Sequence, residues 1–132
     1  MGRAAEVVKD LYAAFGRGDV PAVLGAFDDA IEWQEAEGFL YAEGNPYVGP
    51  RAVAEGVFGR IIGDVDNFAA RPANIIDGGD TVVAEGRYTG TWRATGTPVD
   101  AQFAHVWQVR DGKIVRFQQY TDTGQWAKAA GR

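Results

Sequence analysis

Apolar residues near the start of the chain recur at the spacing of a helix. In AAEVVKDLYAAF, Val8, Leu11, Tyr12 and Phe15 fall at i, i+3, i+4 and i+7, which predicts one amphipathic helix. GRGD breaks it. Asp19 is a good N-cap and Pro21 tolerates a first turn, so a second, short helix is predicted with Val23, Leu24 and Phe27 on its buried side. The period then drops to two. AIEWQEAE alternates, with Ile31, Trp33 and Glu35 on one face and Glu32, Gln34 and Ala36 on the other, which predicts a strand. A slip of one residue in that strand would exchange Glu35 for Gln34. GFLYAEGNPYVGP is dense in Gly, Pro and Asn and reads as loop. Pro50 opens a third helix, where Val53, Val57 and Ile61 form a stripe with Phe58 beside it.

Beyond Gly63 the pattern stays at period two. NFAARPANIID reads as a strand whose Pro72 belongs at an edge or a bulge. DGGD turns the chain into TVVAEGRYTGTWRA, and TGTP turns it again. DAQFAHVWQVR, DG and KIVRFQQYTD then form a hairpin. The tail TGQWAKAAGR is a short helix or a frayed end. Helices at the front and strands at the back predict an α+β fold. Three N-terminal helices would pack in the concave face of a curved, mostly antiparallel sheet.

The hairpin carries the candidate chemistry. With Asp111-Gly112 as a two-residue turn, Val109 faces Ile114, Trp107 faces Arg116, His105 faces Gln118, Phe103 faces Tyr120 and Ala101 faces Asp122, all on one face. Ala104, Val106, Gln108, Val115, Phe117 and Gln119 then occupy the other. His105 is the chain's only histidine. Its face mixes aromatic walls with hydrogen-bonding groups, the composition of a ligand pocket. A plain core face would be aliphatic, and a solvent face would not carry Trp and Phe.

Composition narrows the function classes. A length of 132 residues predicts a single domain, 1–132. A formal net charge of -5, with the basic residues scattered, argues against nucleic acid and anionic membranes as partners. No cysteine is present, which removes disulfides, thiolate catalysis and thiolate-bound metals, and one histidine does not suggest a metal site. Charges interrupt the apolar pattern of the N-terminus, so no signal peptide is read there, and no apolar run approaches a membrane span. A cytoplasmic protein is expected.

The helices, the strand around Trp33, YVGPRAVAEGVF and above all HVWQVRDGKIVRFQQYTDT resemble the SnoaL-like branch of the nuclear transport factor 2-like superfamily, over essentially the whole chain. The resemblance implies a cone, a curved sheet wrapped around helices with a deep pocket inside. Relatives include polyketide cyclases, ketosteroid isomerase and epoxide hydrolases, and others without known activity, so the fold does not decide the function. The cyclases have a pocket histidine on the penultimate strand, which His105 matches. Their general acid/base on the last strand has Gln118 in its place here, and Asp122 is the nearest carboxylate. The isomerases place a carboxylate base at the end of the first strand, where Glu35 stands. An acid–arginine–acid set of the epoxide-hydrolase kind would draw on Glu35, Arg116 and Asp122.

The leading expectation is cofactor-independent proton transfer on a hydrophobic small molecule, an isomerisation or an aldol-type cyclisation. Glu35 or Asp122 would take a proton next to a carbonyl, its pKa raised by a dry pocket. His105, Gln118 or Tyr120 would donate to the developing oxyanion. Trp33, Phe58, Tyr88, Trp92, Phe103 and Trp107 would wall the pocket, with Trp33 and Tyr120 in reach of His105. Asp122 also fits as the N-cap of a tail helix through DTGQ. A homodimer is expected through the other sheet face, where Val106, Val115 and Phe117 mix with Gln102, Gln108 and Gln119. The competing expectation is a non-catalytic binding or oligomerisation module with the same fold.

Overall fold

The helices begin where the sequence supplies a start. A computed structural model describes residues 2–132. Helix α1 (Arg3–Gly16) buries Ala4, Ala5, Val8, Leu11, Tyr12 and Ala14. Helix α2 (Val20–Gly25) is capped by Asp19, whose Oδ1 accepts the Ala22 N–H at 3.1 Å. Phe27 does not belong to it. It opens the first strand and remains buried there. Helix α3 (Pro50–Val53) passes through a π turn (Ala54–Phe58) into α4 (Gly59–Asp64), with helical backbone at both junctions. Val53, Val57, Phe58 and Ile61 are all buried along this run. The tail forms α5 (Thr123–Ala129), in which Trp126 is fully buried. Among the described residues no helix is long and apolar enough to cross a membrane.

Six strands make one curved, open sheet: β1 (Phe27–Gln34), β2 (Tyr47–Val48), β3 (Val65–Gly78), β4 (Thr81–Trp92), β5 (Thr97–Arg110) and β6 (Lys113–Thr121). Their order is β2-β1-β6-β5-β4-β3. Only the β1–β6 pair is parallel. The chain is thus α+β with a mostly antiparallel sheet. Pro72 lies on the edge strand β3, at an irregularity in its pairing with β4, where a missing N–H costs no ladder bond. Helix α1 lies across β3, β4 and β5. The buried residues fall into two groups. One runs from α1 through Trp33 and Phe58 to Trp107 and Phe117, the other gathers around Trp126, Tyr88, Trp92 and Phe103.

The hairpin register corrects the sequence reading. Asp111 and Gly112 have φ of 51° and 76°, the left-handed pair a type I′ turn needs, and Arg110 pairs with Lys113 as expected. Val109 still faces Ile114, but Gln108 then faces Arg116, so one extra residue, Val115, has entered β6 as a bulge. Every later partner moves by one. Trp107 faces Phe117 and His105 faces Gln119. Because side chains alternate, the shift reverses the faces of β6 beyond the bulge. Phe117 and Gln119, expected outside, are buried inside. Arg116 and Tyr120, expected inside, are exposed, Tyr120 by 56%. The outer face carries Ala104, Val106 and Gln108 of β5 with Gln118 of β6, all half-buried.

Candidate functional site

His105 projects inward from the middle of β5 and is 4% exposed. Its Nδ1 is 2.6 Å from the Tyr12 hydroxyl and its Nε2 is 2.5 Å from the Tyr88 hydroxyl. Helix α1 delivers Tyr12 and β4 delivers Tyr88. Each hydroxyl oxygen also accepts a further bond, Tyr12 from the Trp107 indole N–H at 3.0 Å and Tyr88 from the Gln119 amide at 2.9 Å. The backbone N–H of Ala36 donates to Gln119 Oε1 at 3.1 Å, which sets the amide's orientation. Phe103 stacks on the imidazole with ring centroids 4.0 Å apart. Burial pushes the imidazole pKa down to about 3, so the ring is neutral at ordinary pH.

Neutrality has a consequence for hydrogen counting. A neutral imidazole has one N–H and one bare nitrogen. One tyrosine therefore donates to His105 and the other accepts from it. The accepting tyrosine keeps its own phenolic hydrogen, for which the network supplies no acceptor. Burial raises the pKa of both phenols, so neither ionises near neutral pH.

Glu35 follows directly on β1 and continues its inward face after Ile31 and Trp33. It is 2% exposed. Asn45 clamps its backbone, accepting the Glu35 N–H and donating to the Glu35 carbonyl, both at 2.8 Å. The Trp33 indole N–H donates to Oε2 at 3.1 Å. Burial raises the carboxyl pKa to about 7, against the opposing pull of the Trp33 N–H and the Arg60 charge. Arg60 is engaged elsewhere: it pairs with Glu43 at 2.5 Å and sits 4.2 Å over the Tyr41 ring.

These groups share one cavity of about 60 Å³. Its polar lining comes from Tyr12, Glu35, Tyr41, Tyr88, His105 and Gln119, with the Tyr41 hydroxyl donating to Asp64 Oδ2 at 2.7 Å, and its aromatic walls include Trp33, Phe58, Phe68, Trp107, Phe117 and Trp126. No lysine or arginine lines it among the described residues. A single water needs roughly 10–15 Å³. The space thus holds a few waters or a small organic group, and a larger ligand enters only as wall side chains shift.

Of the residues singled out from sequence, Glu35, His105, Trp33, Phe58, Tyr88 and Trp107 meet at this cavity. Phe103 is buried and stacks on His105 from outside the lining, and Trp92 is buried in the second aromatic group. Gln118 lies on the other face and donates to the Gln119 carbonyl at 2.8 Å. Tyr120 is exposed for the same reason, the bulge. Asp122 is exposed and caps α5, accepting the Gln125 N–H at 3.2 Å, so it stands outside the cavity. Glu35, Arg116 and Asp122 are therefore not brought together.

Sequence reasoning missed several cavity residues, among them Tyr12, Tyr41, Phe68, Phe117, Gln119 and Trp126. Tyr12 is hidden in the apolar stripe of α1, where only its hydroxyl signals a polar role. Gln119 was hidden by the bulge. Trp126 is the one large apolar side chain in the tail after Tyr120, a pattern that marks an anchor.

Comparison with known proteins agrees with this geometry. The SnoaL-like domain family matches residues 8–117. An NTF2-like protein from Burkholderia thailandensis E264 is 39% identical, with 98% of each chain covered and a TM-score of 0.93. TerC, crystallised with polyporic acid, is 26% identical over 99% of this chain and 100% of its own, with a TM-score of 0.86. A protein from Catenulispora acidiphila DSM 44928 with a ketosteroid isomerase-like fold, in complex with trimethylamine, shares the fold at 21% identity, 96% and 92% coverage and a TM-score of 0.79. No curated protein matches the chain. With the matched segment spanning most of its length, the chain belongs to the SnoaL-like domain family, on the NTF2-like fold.

Proposed function

We propose that the cavity is an active site for proton transfer at a carbon next to a carbonyl, as in an isomerisation or cyclisation of a small neutral substrate. The observation that carries this is Glu35, a buried carboxyl with a pKa of about 7 in an aromatic cavity that also holds a spare tyrosyl hydrogen. A base whose pKa lies near the working pH is both available and strong enough to act. The carboxylate takes the α-proton, the C–H electron pair becomes the new C=C bond, and the carbonyl π pair moves to oxygen. That oxygen accepts the tyrosyl O–H. Glu35 then returns the proton to the same or a conjugated carbon. These steps use only side chains of the chain itself. His105 holds the two tyrosines and stays uncharged near neutral pH, because burial lowers its pKa to about 3. Gln119 across from it cannot move a proton at all, so Glu35 is left as the base.

The test is solvent-deuterium exchange into the α-positions of cyclic ketones such as cyclohexanone, followed by NMR. The protein should accelerate exchange, and Glu35→Gln should remove about 10²–10⁴-fold of that acceleration. Unchanged exchange in the Glu35→Gln variant would overturn the assignment of the base. A second reading, a binding module, draws on the absence of any acid opposite His105. Ketones that bind without accelerated exchange would favour it.

A further inference from the structure

Two hydrogens belong to cavity-lining residues and have no acceptor in the protein. The first is the phenolic hydrogen left over in the Tyr12–His105–Tyr88 chain. The second is the indole N–H of Trp126. This side chain is 0% exposed, lines the cavity, and has no hydrogen-bond partner for its Nε1. The other two cavity tryptophans are paired, Trp33 to Glu35 and Trp107 to Tyr12. Natural proteins rarely bury a donor without a partner, and such a group asks for an explanation. Trp126 comes from α5, far from His105 in sequence, and its ring packs T-shaped against that of Tyr88 with centroids 5.7 Å apart. The two free hydrogens thus come from separate elements and are independent observations.

We propose that the ligand is an uncharged ring compound with two acceptor oxygens, a dicarbonyl or a ketone bearing a second acceptor, one oxygen taking the spare tyrosyl hydrogen and the other the Trp126 indole hydrogen. This rests on the reading of the cavity as a carbonyl site. A carboxylate or phosphate ligand would be buried beside Glu35 with no lysine or arginine to meet it. A cationic ligand would suit Glu35 and the aromatic walls, but it would leave both hydrogens unsatisfied and turned against its charge. A hydrocarbon would leave them unsatisfied as well. A neutral molecule with two acceptor oxygens meets both without a buried charge.

Binding of cyclohexanone, cyclohexane-1,2-dione, cyclohexane-1,4-dione and trimethylamine to the protein and to its Trp126→Phe variant tests this. At least one dione should bind more tightly than cyclohexanone. Trp126→Phe should weaken that dione by roughly 2- to 12-fold more than it weakens cyclohexanone, the range of one hydrogen bond, any loss of wall contact being common to both. In the unsubstituted protein the Trp126 indole N–H resonance should move downfield with the dione and not with cyclohexanone, a readout that survives if the variant folds poorly. Equal loss for both ketones would mean that the two donors share one oxygen, and would overturn the proposal. So would a preference for trimethylamine, an unmoved indole resonance, or failure of every ketone to bind. Glu35-dependent exchange into cyclohexanone is read separately, so the base can stand while the two-oxygen ligand falls.

Discussion

Glu35 and His105 are both buried, and burial moves their titrations in opposite directions. Glu35 rises from an ordinary 4.5 to about 7, so folding binds a proton that the unfolded chain releases above pH 4.5. Its contribution to stability is complete below pH 4.5 and is lost as pH rises toward 7. His105 falls from 6.5 to about 3, so folding expels a proton that the unfolded chain holds below pH 6.5. Its contribution is present above pH 6.5 and lost as pH falls toward 3. Between pH 4.5 and 6.5 the two slopes oppose each other. Subtracting the unfolding free energy of the native protein from that of Glu35→Gln cancels the histidine term. The variant should gain on the native protein by on the order of 3 kcal/mol between pH 4 and pH 8, with all of the gain between 4.5 and 7. Denaturant unfolding across that range measures it. A difference that stays constant with pH would mean that Glu35 ionises normally.

At the scale of the elements, the curved sheet depends on irregularities that a periodic pattern does not show. The bulge at Val115 is the clearest. KIVRFQQY alternates well enough to support either register, and the Asp-Gly turn pins only the first pairs. The deciding facts are tertiary. Phe117 stacks on Trp33 of the parallel neighbour at 3.7 Å, and Gln119 reaches the Ala36 backbone, contacts invisible to a hairpin considered alone. The strand before the loop was legible because Ile31, Trp33 and Glu35 alternate and are all buried, and Glu35 was placed inward on that basis. Asp19 and Asp122 were legible as caps because capping is local. A second irregularity sits at Gly86 of β4, opposite Pro72. A Cβ there would lie 2.1 Å from the Arg71 carbonyl oxygen and 2.7 Å from the Pro72 Cα, backbone atoms that cannot swing away. Gly86→Ala should cost about 3 kcal/mol, the upper end for overpacking, and lower the thermal midpoint by roughly 10 °C. A midpoint within a degree or two of the native one would show that β3 and β4 separate freely.

For the whole molecule, the fold class and family were legible because helix periodicity, strand alternation and the RDGKIVRF hairpin all point one way. The site was legible only in part. A fold that hosts cyclases, isomerases and binders does not choose among them, and the choice rests on which polar groups the packing brings into the cavity. Here that packing joins side chains from α1, β4, β5, β6 and α5 and from the end of β1 around one small void, and among the described residues it leaves Glu35 as the sole carboxylate lining it. The central claim is that this carboxylate is a base poised near neutral pH. Titration of the Glu35 side-chain carboxyl by ¹³C NMR tests it most directly, because it needs no substrate. A midpoint close to 7 in the native protein is the result predicted here, and a midpoint at the ordinary value of 4.5 would contradict it.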